Sequence, residues 1–257
     1  MLTVMTSGKA APGTTTSTWA LAMVWPSPVL VVDCDPAGGD MVPGMLAGRV
    51  PLDRGLLSWS VSTRRATVMD ATMALLSHVV SIPEVPGISL LPGIQNAAQV
   101  AALDVAGWQR LASTLEVSSA AIGRDVLVDT GRLVEASCWP VLRIADRVIL
   151  NVRPTVRSTH AALAAAARLR VELGDLTTVS VLVIGRGPYS STEVAHAIGA
   201  PLLGELPDDR GAADVLSDGA LSGLRGLHRT KLLRAARLVA QEIATTSMAR
   251  PTVGAAR

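Results

Sequence analysis

Eight residues near the N-terminus have the spacing of a phosphate-binding loop, with a change at its most charged position. They run from Gly8 to Thr15 as GKAAPGTT and directly follow the apolar stretch 2–5. In the pattern G-x-x-x-x-G-K-[ST], backbone N–H groups and a helix N-terminus surround a phosphate. Thr14 stands where that pattern has the lysine that reaches the β- and γ-phosphates. The loop therefore predicts nucleotide binding with reduced catalytic strength.

A lysine does occur in this loop, at its second position. Only Lys9 and Lys231 are lysines among the 23 basic residues, so a lysine inside the loop by chance is uncommon. Thr15 falls where the magnesium-binding hydroxyl of the pattern belongs. An ordinary strand-to-helix turn, with Thr14, Thr15 or Thr16 as the helix N-cap, explains the same residues and stays open.

A pair of carboxylates follows the next apolar run. Asp33 and Asp35 come at the end of the stretch 29–33. Residues two apart on a strand point the same way. We therefore expect both carboxylates at the carboxyl end of a strand, where ligands bind in open α/β sheets. Two such groups need a cation or a water network to relieve their repulsion. An ordinary strand end leading into an Asp-Pro turn is the alternative.

A third acidic position ends the apolar run 125–129. Asp129 alone is a weak signal, because many buried strands end in a carboxylate. Together with the loop and the pair Asp33 and Asp35, it supplies the outer-shell carboxylate of a magnesium site.

Apolar runs of strand length alternate along the chain with segments of helical composition. Most of the strand runs lack polar alternation, as expected for strands covered on both faces. The pattern predicts an α/β fold, a three-layer P-loop NTPase-like sandwich with a mostly parallel doubly wound sheet. Strands are predicted at 2–6, 29–33, 88–91, 125–129, 147–152, 178–184 and 202–206. Helices are predicted near 15–25, 66–79, 97–116, 158–172, 191–198, 210–217 and 225–246.

The bulk numbers exclude some classes of protein. The 257 residues carry a net charge of +2, so there is no global signal for polyanion binding. Mean hydropathy is high at +0.40. The sequence has no uninterrupted run of about 18 apolar residues, so it does not predict a transmembrane segment. Cys34 and Cys138 lack metal-ligand spacing, and no leader pattern precedes the first strand, so we expect a cytoplasmic protein. One domain is predicted over 1–245, with a disordered tail over 246–257.

The last helix carries a basic face. Its apolar residues share one side, and the other side carries Lys231, Arg234 and Arg237. A solvated face, non-specific DNA contact and a membrane surface all remain open for these three residues.

The three motifs, in this order, resemble those of the MinD/ParA family of deviant-Walker P-loop ATPases. The stretch 6–9 matches the family's opening, with Lys9 as its signature lysine. Asp33 and Asp35 match the second acidic motif, and Asp129 matches the Walker B aspartate. The resemblance continues through residues 145–154 and 203–209 and covers about residues 1–245.

The resemblance implies an ATP-responsive switch that dimerises and positions or assembles a larger machine, such as a septum, chromosome, pilus or secretion system. It implies ATP or ADP with Mg²⁺, a nucleotide-dependent homodimer and an unidentified protein partner. Catalytic roles fall to Lys9, which reaches the partner's phosphates, and to Asp35, which helps position the attacking water. The implied metal ligands are Thr15, Asp33 and Asp129. The implied nucleotide contacts are Gly8, Lys9, Gly13, Thr14, Thr15, Thr16, Pro207 and Asp208.

The chain departs from the family at several of these points. The loop lysine is Thr14, two glycines after the signature lysine are Ala10 and Ala11, and Pro12 brings no N–H to the phosphate. Where family members place an adenine-reading Asn, this chain has 185–186 as Gly-Arg. These features look like a divergent actinobacterial branch and predict slow or absent ATP hydrolysis. A pseudo-ATPase scaffold that hardly uses nucleotide is the alternative function.

Overall fold

The structure is a computed structural model in which most of the chain is described. The described residues are 1–9, 13–51, 53–174, 177–218 and 224–248, with backbone alone for 120–122 and 247–248. The predicted tail therefore lies mostly outside the described residues, and its first three residues are the end of the last helix. Within the described part, no helix is both long enough and apolar enough to cross a membrane.

One eight-stranded sheet forms the centre of the fold. Its strands lie in the order β3-β4-β2-β5-β1-β6-β7-β8, and all neighbours are parallel except β3 and β4. The strands are β1 (Leu2–Ser7), β2 (Val29–Asp33), β3 (Val80–Ser81), β4 (Ile88–Leu91), β5 (Asp125–Arg132), β6 (Arg147–Val152), β7 (Thr178–Ile184) and β8 (Leu202–Leu206).

The strands of this parallel sheet are covered on both sides, because the helices that connect parallel strands lie on its faces. Every residue of β1, β2, β4 and β6 is buried, which is why these segments read as continuous apolar runs. All seven predicted strands are present. The two-residue β3 was not predicted, since it is too short to show any periodicity.

Helices cover both faces, so the predicted three-layer α/β sandwich is confirmed. Side chains of α1, α8, α9 and α10 pack in one apolar cluster with one face of the sheet, and α2 to α7 pack on the other face. The helices are α1 (Thr14–Ala22), α2 (Leu56–Ser62), α3 (Val68–His78), α4 (Val100–Ile122), α5 (Trp139–Arg143), α6 (Val156–Leu173), α7 (Ser191–Ile198), α8 (Arg210–Ser217), α9 (Leu224–Leu227) and α10 (Lys231–Met248).

Four helical details differ from the prediction, one of which is that the helix predicted near 225–246 is divided into α9 and α10. The short helices α2 and α5 were missed because each spans two turns or fewer, and each is held by a buried tryptophan, Trp59 or Trp139. The predicted helix 97–116 begins as a 3₁₀ turn, Ala97–Gln99, and its α-helical part is interrupted at Asp104, where φ is +34°. The side chain of Asp104 accepts a hydrogen bond from Gly107 N at 2.7 Å, which starts the helix again.

Strand register brings the predicted chemical residues to one edge. Asp33 at the end of β2 is the register partner of Asp129 in β5, and Asp129 is the partner of Met5 in β1. On the other side of β1, Ser7 is the partner of Asn151 in β6. The carboxyl ends of β2, β5, β1 and β6 therefore meet at the start of α1.

Candidate functional site

The helix that follows β1 begins at a glycine. Gly13 is the N-cap of α1 and has φ +94°, a left-handed conformation that glycine adopts at little cost. No side chain caps this helix, so the alternative in which Thr14, Thr15 or Thr16 is the N-cap is wrong. Within the described ranges no side chain accepts a hydrogen bond from the first N–H groups of α1, and such a helix start attracts an anion.

The three threonines of the first turn have different surroundings. Thr14 is buried, and its hydroxyl oxygen has no hydrogen-bond partner. Thr15 is half-buried, and its hydroxyl lies close enough to the carboxyl group of Asp129 to lower the pKa of that group. Thr16 is also half-buried. The helix start therefore joins the loop to the acidic edge through Thr15.

Asp129 is a buried carboxyl group whose charge is poorly compensated. Burial raises its pKa to about 6, and the carboxylates of Asp35 and Asp40 raise it too. The Thr15 hydroxyl and the hydrogen bond from Gly131 N, at 2.8 Å, work in the opposite direction. The ionised form therefore needs a cation or further donors to be stable.

Asp33 is packed more tightly still. It is 1% exposed, and burial, followed by the charge of Asp129, raises its pKa well above the usual range. A Cβ at Gly39 would overlap the Asp33 carboxylate, and a Cβ at Gly93 would lie 2.7 Å from Asp33 Cγ. Two glycines are thus required around this carboxyl group. Its Oδ1 accepts a hydrogen bond from Asp35 N at 3.3 Å, and among the described residues its Oδ2 has no hydrogen-bond partner. The N–H of Met41 is close enough to lower the pKa of Asp33.

Asp35 lies beyond the strand end and contacts a different surface. It is half-buried, its Oδ1 accepts a hydrogen bond from Ala37 N at 2.8 Å, and its carboxylate packs against Gly131. Burial, together with the charge of Asp40, raises its pKa. Sequence reasoning missed Asp40, although its place at the end of the acidic motif 33–40 was a usable signal.

A magnesium ion suits this edge chemically. Among the described residues, no group of three Asp, Glu, His or Cys has the arrangement of a complete metal site. Mg²⁺ usually takes one or two carboxylates and completes its shell with waters and phosphate oxygens. Asp129, the hydroxyl of Thr15 and the unpartnered Oδ2 of Asp33 are ligands of that kind, so the residues present fit the ion. Their role as magnesium ligands remains a prediction.

The start of the loop is fixed against the opposite helix layer. A Cβ at Gly8 would overlap the backbone oxygen of Ala161 in α6, so this position requires a glycine. Ser7 Oγ donates to Gly131 O at 3.3 Å and ties the end of β1 to β5. Lys9, which follows Gly8, is exposed. Ala10, Ala11 and Pro12 lie outside the described residues.

The loop after β8, which is predicted to contact the nucleotide, contains two aspartates with different contacts. Asp208 is exposed, accepts a hydrogen bond from Arg186 N at 3.1 Å and pairs with Arg153 at 3.2 Å. Asp209 caps two helices: its Oδ1 accepts from Ala212 N at 3.3 Å in α8, and its Oδ2 from Lys231 N at 3.0 Å at the start of α10. Pro207 before them is half-buried. Sequence reasoning did not foresee Arg153 or the double cap, because both depend on contacts distant in sequence.

Solved MinD and ParA structures superpose on nearly the whole chain. A ParA family ATPase from Chlorobium tepidum TLS matches with a TM-score of 0.73 and 19% identity over 93% of this chain and 98% of that one. The cell division ATPase MinD of Pyrococcus furiosus matches with 0.74 and 18%, over 95% and 98%. MinD of Pyrococcus horikoshii OT3, complexed with Mg-ADP, matches with 0.71 and 16%, over 96% of both chains. The chain has a MinD/ParA-like fold.

This likeness is one of structure. No protein-family model and no curated protein matches the sequence. In the MinD/ParA-like fold of this chain, the predicted metal residues and the first turn of α1 share one edge of the sheet. Pro207 and Asp208 lie in the loop after β8, at the same carboxyl edge. Their roles as nucleotide contacts remain predictions.

The basic face of the last helix is present as predicted. Lys231, Arg234 and Arg237 are exposed on α10, and its apolar residues Leu232 and Val239 are buried. This exposure is compatible with each of the alternatives left open, a solvated face, DNA or a membrane surface.

Asp129 should make the ligand-free protein less stable as pH rises. Between its ordinary pKa of 3.8 and its folded value of about 6, the folded state binds a proton more tightly than the unfolded state. The free energy of unfolding therefore falls as pH increases through this window. A pKa difference of about two corresponds to about 3 kcal/mol. Asp129→Asn should reduce the fall between pH 4 and pH 7 by that amount in urea unfolding with EDTA. The exposed Asp214→Asn is the control, and equal profiles for wild type and Asp129→Asn would contradict the prediction.

The two aspartates of the 207–209 loop should differ in their effect on stability. Asp209→Ala removes caps from α8 and α10 and should lower the free energy of unfolding by about 1–3 kcal/mol. Asp208→Ala breaks only an exposed ion pair and one hydrogen bond and should cost less than about 1 kcal/mol. Urea unfolding of both variants measures the difference. Equal losses would mean that Asp208 holds the fold as much as Asp209 does.

Proposed function

We propose that this protein is an ATP-responsive dimerising switch of the MinD/ParA type that positions or assembles a larger cellular machine. The observation that supports it best is that the Thr15 hydroxyl, in the first turn of α1, lies close enough to the buried carboxyl group of Asp129 to lower its pKa. A hydroxyl and a carboxylate thus lie together at a helix start. A nucleotide phosphate with Mg²⁺ meets that pair of groups in phosphate-binding loops.

The nucleotide phosphates would lie at the start of α1. The uncapped N–H groups after Gly13 offer donors there, and Thr15, Asp33 and Asp129 would hold the magnesium. Bound Mg²⁺ supplies positive charge that favours ionised carboxylates and draws electrons from the phosphate oxygens. Asp35, half-buried at the same edge, is the group suited to orient a water.

Hydrolysis would be slow because a cation is missing from the phosphate side. Thr14 offers no charge where phosphate-binding loops have a lysine. A hydrogen bond to a charged group contributes roughly 1.5–3 kcal/mol, which is about a 10–150-fold change in affinity. Binding survives such a loss, whereas catalysis suffers more, since a phosphate-clamping cation acts on charge that develops in the transition state.

A second copy of the chain would supply the missing cation. Lys9 is exposed at the end of the central strand β1, beside the helix α6 that Gly8 contacts. An exposed ammonium group there is free to reach across an interface to a partner's phosphates. One solved neighbour is a MinC:MinD cell division complex from Aquifex aeolicus, and for this chain we likewise propose a protein partner, still unidentified. The two free cysteines, Cys34 and Cys138, fit a reducing cytoplasm.

Nucleotide binding should be weak and should depend on magnesium through Thr15. Isothermal titration calorimetry with ATP should give a tighter Kd with Mg²⁺ than with EDTA. Thr15→Val should remove most of that difference, because the hydroxyl that joins metal and Asp129 is lost. Thr245→Val, an exposed threonine of α10, is the control. Tight binding that ignores magnesium would contradict the site, and no binding at millimolar ATP would favour the scaffold function.

Any ATP-dependent dimer should require Lys9. Lys9→Ala removes the cation proposed to reach the partner's phosphates, so the variant should sediment as a monomer with a non-hydrolysable ATP analogue under conditions in which wild type dimerises. Lys231→Ala, which removes the only other lysine, is the matched control and should dimerise normally. An undiminished ATP-dependent dimer of Lys9→Ala, with unchanged melting temperature, would show that Lys9 is a solvated loop residue.

A further inference from the structure

At the carboxyl edge of the sheet, one buried side-chain amide has no hydrogen-bond partner among the described residues. Asparagine occurs only twice in the chain, at 96 and 151. Asn151 is 1% exposed, and in the part of the chain that the structure describes neither its Oδ1 nor its Nδ2 has a hydrogen-bond partner. Leaving a buried polar group unsatisfied costs roughly 1–3 kcal/mol in protein mutational data. Such groups are rare in folded proteins, and an absent ligand or water is one physical reason for them.

The position of Asn151 is set by its neighbours in the sheet. It pairs with Ser7 of β1 on one side and with Leu182 of β7 on the other. Side chains two apart on a strand share a face, and Ile149 packs in the same apolar cluster as Trp19 of α1. The Asn151 amide therefore lies on the α1 face of the sheet, level with the last residue of β1.

The start of α1 lies over the same corner. A Cβ at Gly13 would be 3.9 Å from Ile184 Cγ2, at the end of β7, the strand next to Asn151. Thr14, the first residue of α1, is also buried and has a hydroxyl without a partner. Two polar side chains thus lack partners where an uncapped helix start offers further donors.

We propose that Asn151 is a nucleotide-contacting residue whose amide donates a hydrogen bond to the phosphates of the bound nucleotide. This inference rests on the proposed function and deepens it. Phosphate oxygens accept hydrogen bonds, so Nδ2 is the atom that meets them. The donor partly replaces the lysine that the loop lacks at Thr14. A buried amide without a protein partner costs stability, and a hydrogen bond to the nucleotide would offset that cost.

The decisive variant exchanges the amide for an apolar side chain of strand type. Asn151→Val should bind ATP with Mg²⁺ about 10–100-fold more weakly by calorimetry, while its ligand-free melting temperature is equal to or above that of wild type. Thr3→Val is the matched control. Thr3 is also fully buried with an unpartnered hydroxyl, but it lies at the opposite end of β1. Thr3→Val should keep wild-type affinity.

A second measurement uses the wild-type protein and needs no variant to fold. Because only Asn96 and Asn151 carry this side chain, selective ¹⁵N labelling of asparagine side chains gives two NH₂ signal pairs. Adding ATP with Mg²⁺ should shift the Asn151 pair. The Asn96 pair serves as reference, since Asn96 is exposed and its Oδ1 accepts a hydrogen bond from Ala98 N at 3.1 Å.

The outcomes separate this inference from the proposed function. If wild type binds ATP and Asn151→Val binds it equally well, or if saturating ATP leaves the Asn151 signals in place, Asn151 does not contact the nucleotide. If wild type binds no ATP at all, the proposed function itself fails and the inference fails with it.

Discussion

Two carboxyl groups buried side by side are the constraint around which the rest of this edge is arranged. Asp33 and Asp129 are register partners on neighbouring strands, and both have raised pKa values. Burying them costs free energy, and the neighbouring residues accommodate them. Gly39 and Gly93 lack the Cβ atoms that would overlap the Asp33 carboxylate, and the Thr15 hydroxyl lowers the pKa of Asp129. A proton on one carboxyl group, or a divalent cation in a complex, would relieve the repulsion.

The start of α1, where we propose that phosphates bind, is built in the opposite way. Among the described residues it has no buried charged side chain, since Thr14 is neutral and Lys9 is exposed. Charge for that side must come from helix N–H groups, from amides or from another molecule. The acidic side therefore belongs to the core of the monomer, whereas the cationic side depends on what binds to the surface.

The strands and their edge could be predicted because their signals are local. A parallel strand covered on both faces leaves a continuous apolar run, and Asp33 and Asp129 each end such a run. The short helices α2 and α5 leave no periodic pattern. A threonine N-cap was one alternative because side-chain preference favours it, whereas Gly13 is the N-cap and has a left-handed backbone conformation. The contacts of Arg153 and the surroundings of Asn151 were missed because they come from loop packing and strand register, which no single segment encodes.

The double cap at Asp209 has a mechanical consequence. One carboxylate anchors the first turns of α8 and α10, and it is the direct chain neighbour of Asp208. A displacement of this loop would move the first turns of both helices together. The longer of the two is the 18-residue α10, which carries the exposed basic face. Motion at the mouth of the site would thus be transmitted along α10, whose apolar residues pack in the core, to the basic outer surface of the molecule.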